Sequence, residues 1–240
     1  MQATTITLDG FELEYRLAPH MVVFSHGFGV RRDARGMFTD IAESLPNGFG
    51  FVLFEYNMPE GDKLRLTSLS DQVARLKQVI AWARQQPGVE SISIVAHSKG
   101  CTVTALAQPD NVGSVIMLTP PLHVGSGTMT MFTTRPGAVR DGDTWSIPRS
   151  DGTTSLVDQA VFDEMATVNG ENVVIDYAEK RPLHVVAAGD DRILPNQDYS
   201  RVAACPGVTL DVIPVASHDF AGAARQPLVH LVTQYLTESQ

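Results

Sequence analysis

The feature that most constrains the fold of this chain is a serine placed where an apolar run gives way to a helix-like stretch. The run Ile-Ser-Ile-Val at residues 92–95 leads into Ala-His-Ser-Lys-Gly at residues 96–100, with Ser98 at its centre. Small residues are needed on both sides of such a serine because the turn brings the strand and helix backbones close together. The pattern predicts a buried strand, a strained turn that exposes the Ser98 hydroxyl, and a helix over residues 99–108.

The rest of the chain repeats this alternation. A helix is predicted from Leu69 onward, since apolar residues recur there at alternating spacings of four and three, and Pro227 predicts the start of a last helix. Alternating strands and helices favour a mostly parallel sheet with helices on both faces, that is, an α/β fold. Asp9-Gly10 between two short apolar runs predicts an antiparallel hairpin at the sheet edge. Further strands are predicted at residues 21–25, 49–56, 91–96, 112–118, 184–188 and 209–214.

Residues 122–181 break the alternation. This segment holds Gly125-Ser126-Gly127, the large apolar residues Met129, Phe132 and Trp145, and a helix-like run over residues 156–165. Because it leaves the carboxyl end of a strand, where ligands collect in open α/β sheets, we interpret it as a cap inserted into a core domain of residues 1–121 and 182–240. An edge decoration without substrate contact is the alternative. If the segment is a cap, the side chains expected to contact substrate are Met129, Phe132 and Trp145, although packing within the cap also explains them.

Composition limits the function classes. The 240 residues suit one α/β domain with a modest insertion. The net charge of −9 and the scarcity of basic clusters give no support for nucleic-acid binding. We expect no membrane association and a cytoplasmic location, because neither a membrane-length apolar run nor a signal peptide is visible. Cys101 and Cys205 are too few for a disulfide framework and have no zinc-site spacing. The sequence does not set the oligomeric state.

Three other segments supply what a serine nucleophile needs. A serine hydroxyl requires a base within hydrogen-bond reach and an acid that orients the base. Asp190 and Asp191 follow the predicted strand at residues 184–188, and His218 follows the one at residues 209–214. The spacing from Asp191 to a proline four residues on favours Asp191 over Asp190 as the acid. Upstream, Ser-His-Gly-Phe-Gly at residues 25–29 ends another apolar run and suits a loop that donates backbone N–H groups.

On these residues the chain resembles the α/β-hydrolase superfamily, and within it small esterases of the cinnamoyl or feruloyl esterase type. The match covers His-Gly-Phe-Gly at residues 26–29, the turn at residues 96–100, the Asp191 segment and Ser-His-Asp-Phe at residues 217–220. Many relatives have glycine where this chain has Ala96. The resemblance implies that Ser98 is the nucleophile, His218 the general base and Asp191 the orienting acid. It also implies an oxyanion hole formed by the backbone N–H groups of Phe28 and Lys99.

The resemblance and the residues together predict a serine hydrolase that acts on a small-molecule ester. The expected acyl group is short to medium or aromatic, and the apolar side chains of the cap suggest that it is uncharged. No organic cofactor and no metal are implied. Two alternatives stay open: another triad hydrolase (a carbon–carbon bond hydrolase, a peptidase or a perhydrolase), and a non-catalytic binding protein on the same fold. Lys99 stands where a cofactor-free perhydrolase usually has methionine.

Overall fold

The structure is a computed structural model that describes residues 3–123, 126–149 and 151–238. Gly125, part of the Gly-Ser-Gly run at residues 125–127, lies outside the described residues. The strands in chain order are β1 (Thr4–Leu8), β2 (Phe11–Arg16), β3 (His20–Ser25), β4 (Phe49–Phe54), β5 (Met58–Glu60), β6 (Lys63–Arg65), β7 (Ser91–His97), β8 (Val115–Leu118), β9 (Val139–Asp141), β10 (Thr144–Pro148), β11 (Thr154–Asp158), β12 (Leu183–Ala188) and β13 (Val208–Ile213). The helices are α1 (Met37–Glu43), α2 (Leu69–Arg84), α3 (Lys99–Ala107), α4 (Ser126–Thr133), α5 (Gln159–Ala166), α6 (Gly170–Ala178), α7 (Ser200–Ala203) and α8 (Arg225–Glu238).

Eight strands form the main sheet in the order β1-β2-β4-β3-β7-β8-β12-β13. The pairs from β4 to β13 are parallel, whereas β1 pairs with β2, and β2 with β4, in antiparallel fashion. The predicted mostly parallel sheet with an antiparallel hairpin at its edge is therefore confirmed. Parallel strands end at the same side of a sheet, so the segments that follow β3, β7, β12 and β13 meet at one edge.

Helices cover both faces of this sheet. On one face α2 packs against α3, and α3 against α6, above a core that includes Val23 and Ile94. On the other face α1 packs against α8 above Phe24 and Val95. The side chains of adjacent residues in β3 and β7 thus enter opposite cores, as the alternation of side chains along a strand requires. Strands buried on both faces explain the continuous apolar runs in the sequence.

A second sheet of five strands, in the order β5-β6-β11-β10-β9, was not predicted. Its strands come from residues 139–158 and from β5 and β6, which precede α2 in the chain. The prediction of a helix from residue 156 was wrong at its start, because residues 154–158 form β11 and the helix begins at Gln159. Leu156 and Val157 are buried by pairing with β6 and β10, and this tertiary pairing outweighs the local helical spacing. Helix α1 was also missed.

Among the described residues, no helix combines the length and apolar character needed to cross a membrane.

Candidate active site

Ser98 lies in a strained turn between β7 and α3. Its backbone has φ 52° and ψ −126°, a conformation that is costly for a residue with a side chain and typical of functional positions. The Ser98 N–H donates to the Leu118 carbonyl at 2.9 Å. Glycine is required two residues later, because a Cβ atom on Gly100 would lie 2.0 Å from the Ser25 carbonyl oxygen. This close approach of α3 to β3 is the reason for the small residue that the sequence places there.

His218 and Asp191 complete a chain of hydrogen bonds to Ser98. His218 follows β13, and its Nε2 lies 3.0 Å from the Ser98 Oγ while its Nδ1 lies 2.8 Å from Asp191 Oδ2. Because an ionised carboxylate only accepts, Nδ1 carries the proton and Nε2 is free to accept the Ser98 hydroxyl proton. The structure thus brings together the three residues that the sequence nominated, from three separate loops at one sheet edge.

The Asp191 carboxylate is held in its ionised form. Burial on its own would raise the pKa of Asp191, but the hydrogen bond and charge of His218 and two backbone N–H donors lower it below its ordinary value. Those donors are the N–H groups of Ile193 and Leu194, at 2.9 and 2.8 Å from Oδ1. The neighbouring Asp190 has a largely exposed side chain that faces Arg192 at 3.5 Å.

The predicted oxyanion loop passes directly beside Ser98. A Cβ atom on Gly27 would lie 3.2 Å from the Ser98 Cβ, so the loop backbone runs against the serine. His26 holds this loop: its Nε2 accepts from the Tyr56 N–H at 3.0 Å, and Nδ1 donates to the Gly27 carbonyl at 3.0 Å. Burial lowers the pKa of His26 to about 3, so the ring stays neutral and keeps these two roles. Lys99 is the first residue of α3, and its N–H therefore lacks an acceptor within the helix.

His97 supports the loop that carries His218. Its ring is buried, lies 4.9 Å from the His218 ring, and donates from Nε2 to the His218 carbonyl at 2.9 Å. Burial, followed by the nearby His218, lowers the pKa of His97 to about 4. His97 also lies within 4.8 Å of possible ligand atoms of His218 and Asp219. Both His218 nitrogens are engaged in the bonds described above, so a metal ion that takes His218 as a ligand would break one of those bonds.

A pocket of about 80 Å³ opens above Ser98 and His218. Its apolar wall is formed by Phe28 and Phe132, whose rings stack with centroids 4.2 Å apart. Phe132 was predicted to contact substrate, and the structure places it in this wall. Three arginines that no sequence motif marks also line the pocket: Arg35, Arg135 and Arg149.

Met129 and Trp145, the other two predicted substrate contacts, are not brought to this pocket. Both are half-buried and face Gln159, whose amide donates to the Met129 sulfur and whose carbonyl oxygen accepts from the Trp145 indole. Their apolar surfaces pack against the core beneath the second sheet. In the described structure these two side chains therefore have packing roles.

The Lys99 side chain is buried beneath the pocket wall. Its Nζ lies 5.2 Å from the centre of the Phe28 ring, and only 4% of the residue is exposed. Burial lowers the pKa of Lys99 to about 7, with Arg149 lowering it further and Glu164 opposing the shift. The residue that directly follows Ser98 thus carries an amino group that gains or loses its proton near neutral pH.

No protein-family model matches this chain, and no curated protein matches it in sequence. Solved structures do match over its whole length. Est1E from Butyrivibrio proteoclasticus with ferulic acid bound is 18% identical, with a TM-score of 0.77 over 99% of both chains. The esterase domain of a Rhodothermus marinus protein is 16% identical, with a TM-score of 0.72 over 99% of both chains. A monoacylglycerol lipase from Paleococcus ferrophilus is 15% identical, with a TM-score of 0.69 over the full length of both. At these identities the likeness is one of fold, and it confirms the fold class that the sequence predicts.

Proposed function

Starting from the α/β-hydrolase fold of this chain, we propose that it is a serine hydrolase that cleaves small carboxylic esters through an acyl-enzyme. The observation that carries the proposal is the continuous hydrogen-bonded chain from Ser98 through His218 to Asp191. A serine in a strained turn, a neutral acceptor nitrogen and an ionised acid in this order form the arrangement that activates a hydroxyl for acyl transfer.

In the first half-reaction the Ser98 Oγ attacks the ester carbonyl carbon while His218 Nε2 takes the hydroxyl proton. The imidazolium that forms is stabilised by the Asp191 carboxylate. The backbone N–H groups of Phe28 and Lys99 are the proposed donors to the oxyanion, and donors of this kind contribute roughly 3–4 kcal/mol each. The tetrahedral intermediate expels the alcohol, which receives the proton from His218. Water then attacks the acyl-enzyme by the same steps and releases the carboxylic acid.

The comparisons support this reaction class. The similar structures are Est1E with ferulic acid bound, an esterase domain and a monoacylglycerol lipase. All share the fold with this chain at identities below 20%. The pocket above Ser98 is small, at about 80 Å³, which favours acyl groups of short to medium length or a single aromatic ring over long lipid chains.

The intact hydrogen-bonded chain also weighs against a binding protein that has lost catalysis. Such a protein has no need to keep an accepting nitrogen 3.0 Å from a strained serine hydroxyl. Carbon–carbon bond hydrolases, peptidases and perhydrolases use the same three groups and also react with activated esters, so turnover of the unactivated methyl ferulate is the part of the ester panel below that favours an esterase.

The test is ester turnover by wild type and Ser98→Ala, on nitrophenyl esters from acetate to palmitate with methyl ferulate alongside. Wild type is expected to cleave the short members fastest. Ser98→Ala is expected to lose activity by a factor on the order of 10⁶, as in other serine hydrolases that lose their nucleophile. Ser70→Ala, a change at an exposed serine on α2, is the control and is expected to behave like wild type. Activity of Ser98→Ala within tenfold of wild type would contradict the proposal.

A further inference from the structure

The pocket above Ser98 concentrates positive charge in a chain that is acidic overall. The whole sequence has a net charge of −9, yet three of its 18 lysines and arginines line this one small pocket. Arg35 comes from the segment after β3, Arg135 follows α4, and Arg149 follows β10. Residues from both the main sheet and the second sheet therefore converge on the same cavity.

The acidic residues nearby neutralise only one of these cations. Arg35 forms ion pairs with Asp219 at 2.7 Å and with Asp151 at 3.6 Å. Within the described ranges, no carboxylate oxygen lies within 4.0 Å of the guanidinium nitrogens of Arg135 or Arg149. Among the described residues, Arg135 and Arg149 thus form no ion pair, and the carboxylates of Asp151 and Asp219 act on Arg149 only at longer range.

Arg149 carries the strongest indication of an absent partner. Its Nη2 donates to the Phe28 carbonyl at 3.0 Å, but its Nε and Nη1 are shielded from solvent and have no hydrogen-bond acceptor among the described residues. Burial, followed by the charges of Arg135 and Arg35, lowers the pKa of Arg149 to about 10, so the group is still charged at neutral pH. Buried donors on a charged group are costly when unpaired, and an anion would both satisfy them and offset the charge.

Arg135 and Arg149 also approach one ring of the pocket wall. The Arg135 guanidinium lies 4.5 Å from the centre of the Phe132 ring, and that of Arg149 lies 5.6 Å from it. Stacking on an aromatic face holds a guanidinium in place while leaving its N–H edge free. A planar guanidinium is the donor group whose geometry matches a carboxylate.

We propose that Arg135 and Arg149, with Arg35 at the rim, bind a carboxylate carried by the ester substrate. This inference rests on the proposed function and narrows it to esters that retain a free acid group. It replaces the sequence-based expectation of an uncharged acyl group, which depended on the apolar side chains of the cap; of Met129, Phe132 and Trp145, only Phe132 lines the pocket. Because the arginines and Ser98 line the same small pocket, the proposal is for a carboxylate a few bonds from the scissile carbonyl.

The experiment compares substrates that differ in charge and little in shape. Monomethyl succinate and its neutral amide, methyl succinamate, place the charge on the acyl side. Acetoxyacetate and acetoxyacetamide place it on the alcohol side. We expect wild type to prefer the carboxylate member of one pair by at least about tenfold in kcat/KM, the usual scale of a charge-assisted hydrogen bond. Arg135→Gln and Arg149→Gln should each lower that preference by about tenfold.

Arg140→Gln is the matched control. Arg140 lies in β9 of the same second sheet, pairs with Asp143 and does not line the pocket, so its loss should leave the preference as in wild type. Equal or better turnover of the neutral member in both pairs would overturn the carboxylate site while leaving the proposed ester hydrolysis intact. A preference that survives in both pocket variants would overturn it as well.

Binding to the Ser98→Ala variant tests the carboxylate site separately from the proposed ester hydrolysis. Calorimetry with the same four compounds needs no turnover, and the favoured carboxylate should bind at least about tenfold more tightly than its amide. If wild type cleaves no ester at all, the proposed function fails, and this measurement alone decides the inference. Equal dissociation constants for acid and amide in both pairs would then overturn the carboxylate site.

Discussion

Asp190 and Asp191 are adjacent in the chain but lie in different surroundings. Asp191 is buried against His218 and accepts two backbone N–H bonds, whereas the Asp190 side chain faces solvent beside Arg192. The sequence favoured Asp191 through its spacing to Pro195, and the structure places Asp191 alone against the histidine. A single peptide bond thus separates a proposed catalytic residue from a surface residue.

Asp191→Asn is expected to lower kcat by about 10³-fold or more, because the amide no longer holds His218 in the tautomer that accepts the Ser98 proton. Asp190→Asn, the matched control, is expected to stay within about threefold of wild type. Steady-state kinetics on a short nitrophenyl ester would measure both. The assignment of the acid is wrong if Asp190→Asn is the more damaging change.

Among single residues, the sequence identified those that belong to local patterns. Ser98 is marked by the strand–turn–helix junction, and His218 and Asp191 by their places after strands. The three pocket arginines were missed because they lie far apart in the chain and belong to no motif. Their convergence depends on where α4 and β10 pack, which local pattern does not reveal.

The main-sheet elements followed from apolar runs and turn residues, because strands buried on both faces leave a continuous apolar signal. The second sheet left no such signal. Strands β5, β6 and β9 have only three residues each and few buried side chains, so their pairing is determined by contacts distant in sequence.

The predicted division into a core of residues 1–121 and 182–240 and a cap of residues 122–181 remains a prediction. Three cap residues, Phe132, Arg135 and Arg149, do line the pocket, and β5 and β6 join the cap strands in one sheet.

The placement of α4 predicts which apolar side chain affects substrate choice. Phe132→Leu is expected to change the kcat/KM ratio between nitrophenyl acetate and nitrophenyl hexanoate at least several-fold, since apolar contacts of this size are worth roughly 1–3 kcal/mol. Trp145→Leu, at a half-buried position away from the pocket, is expected to leave the ratio within about twofold. A shift in the Trp145 variant without one in the Phe132 variant would contradict this placement.

For the molecule as a whole, Lys99 links stability to pH. Its pKa is about 7 in the folded chain, whereas an exposed lysine titrates near about 10.4. Between these values the unfolded chain binds more protons, so this residue makes the free energy of unfolding rise with pH across that window. Below about pH 7 both states are protonated, and the full cost of burying the charge is present.

Lys99→Met should therefore be more stable than wild type at pH 6, by an amount on the order of a few kcal/mol. That advantage should shrink steadily as the pH rises toward 10. Urea unfolding at pH 6, 8 and 10 measures it, with Lys77→Met at an exposed position as the control that shows no such trend. A Lys99→Met advantage that is constant across this range, or that grows with pH, would contradict the buried, low-pKa lysine.

The most direct measurement of the proposed chemistry is covalent labelling of the whole protein with a fluorophosphonate, read by intact mass and peptide mapping. The reagent reacts with serines activated by a neighbouring base. Wild type should gain one adduct, mapped to Ser98, and His218→Ala should label far more slowly. An unmodified protein under conditions that label a known serine esterase, or an adduct on another residue, would contradict Ser98 as the nucleophile.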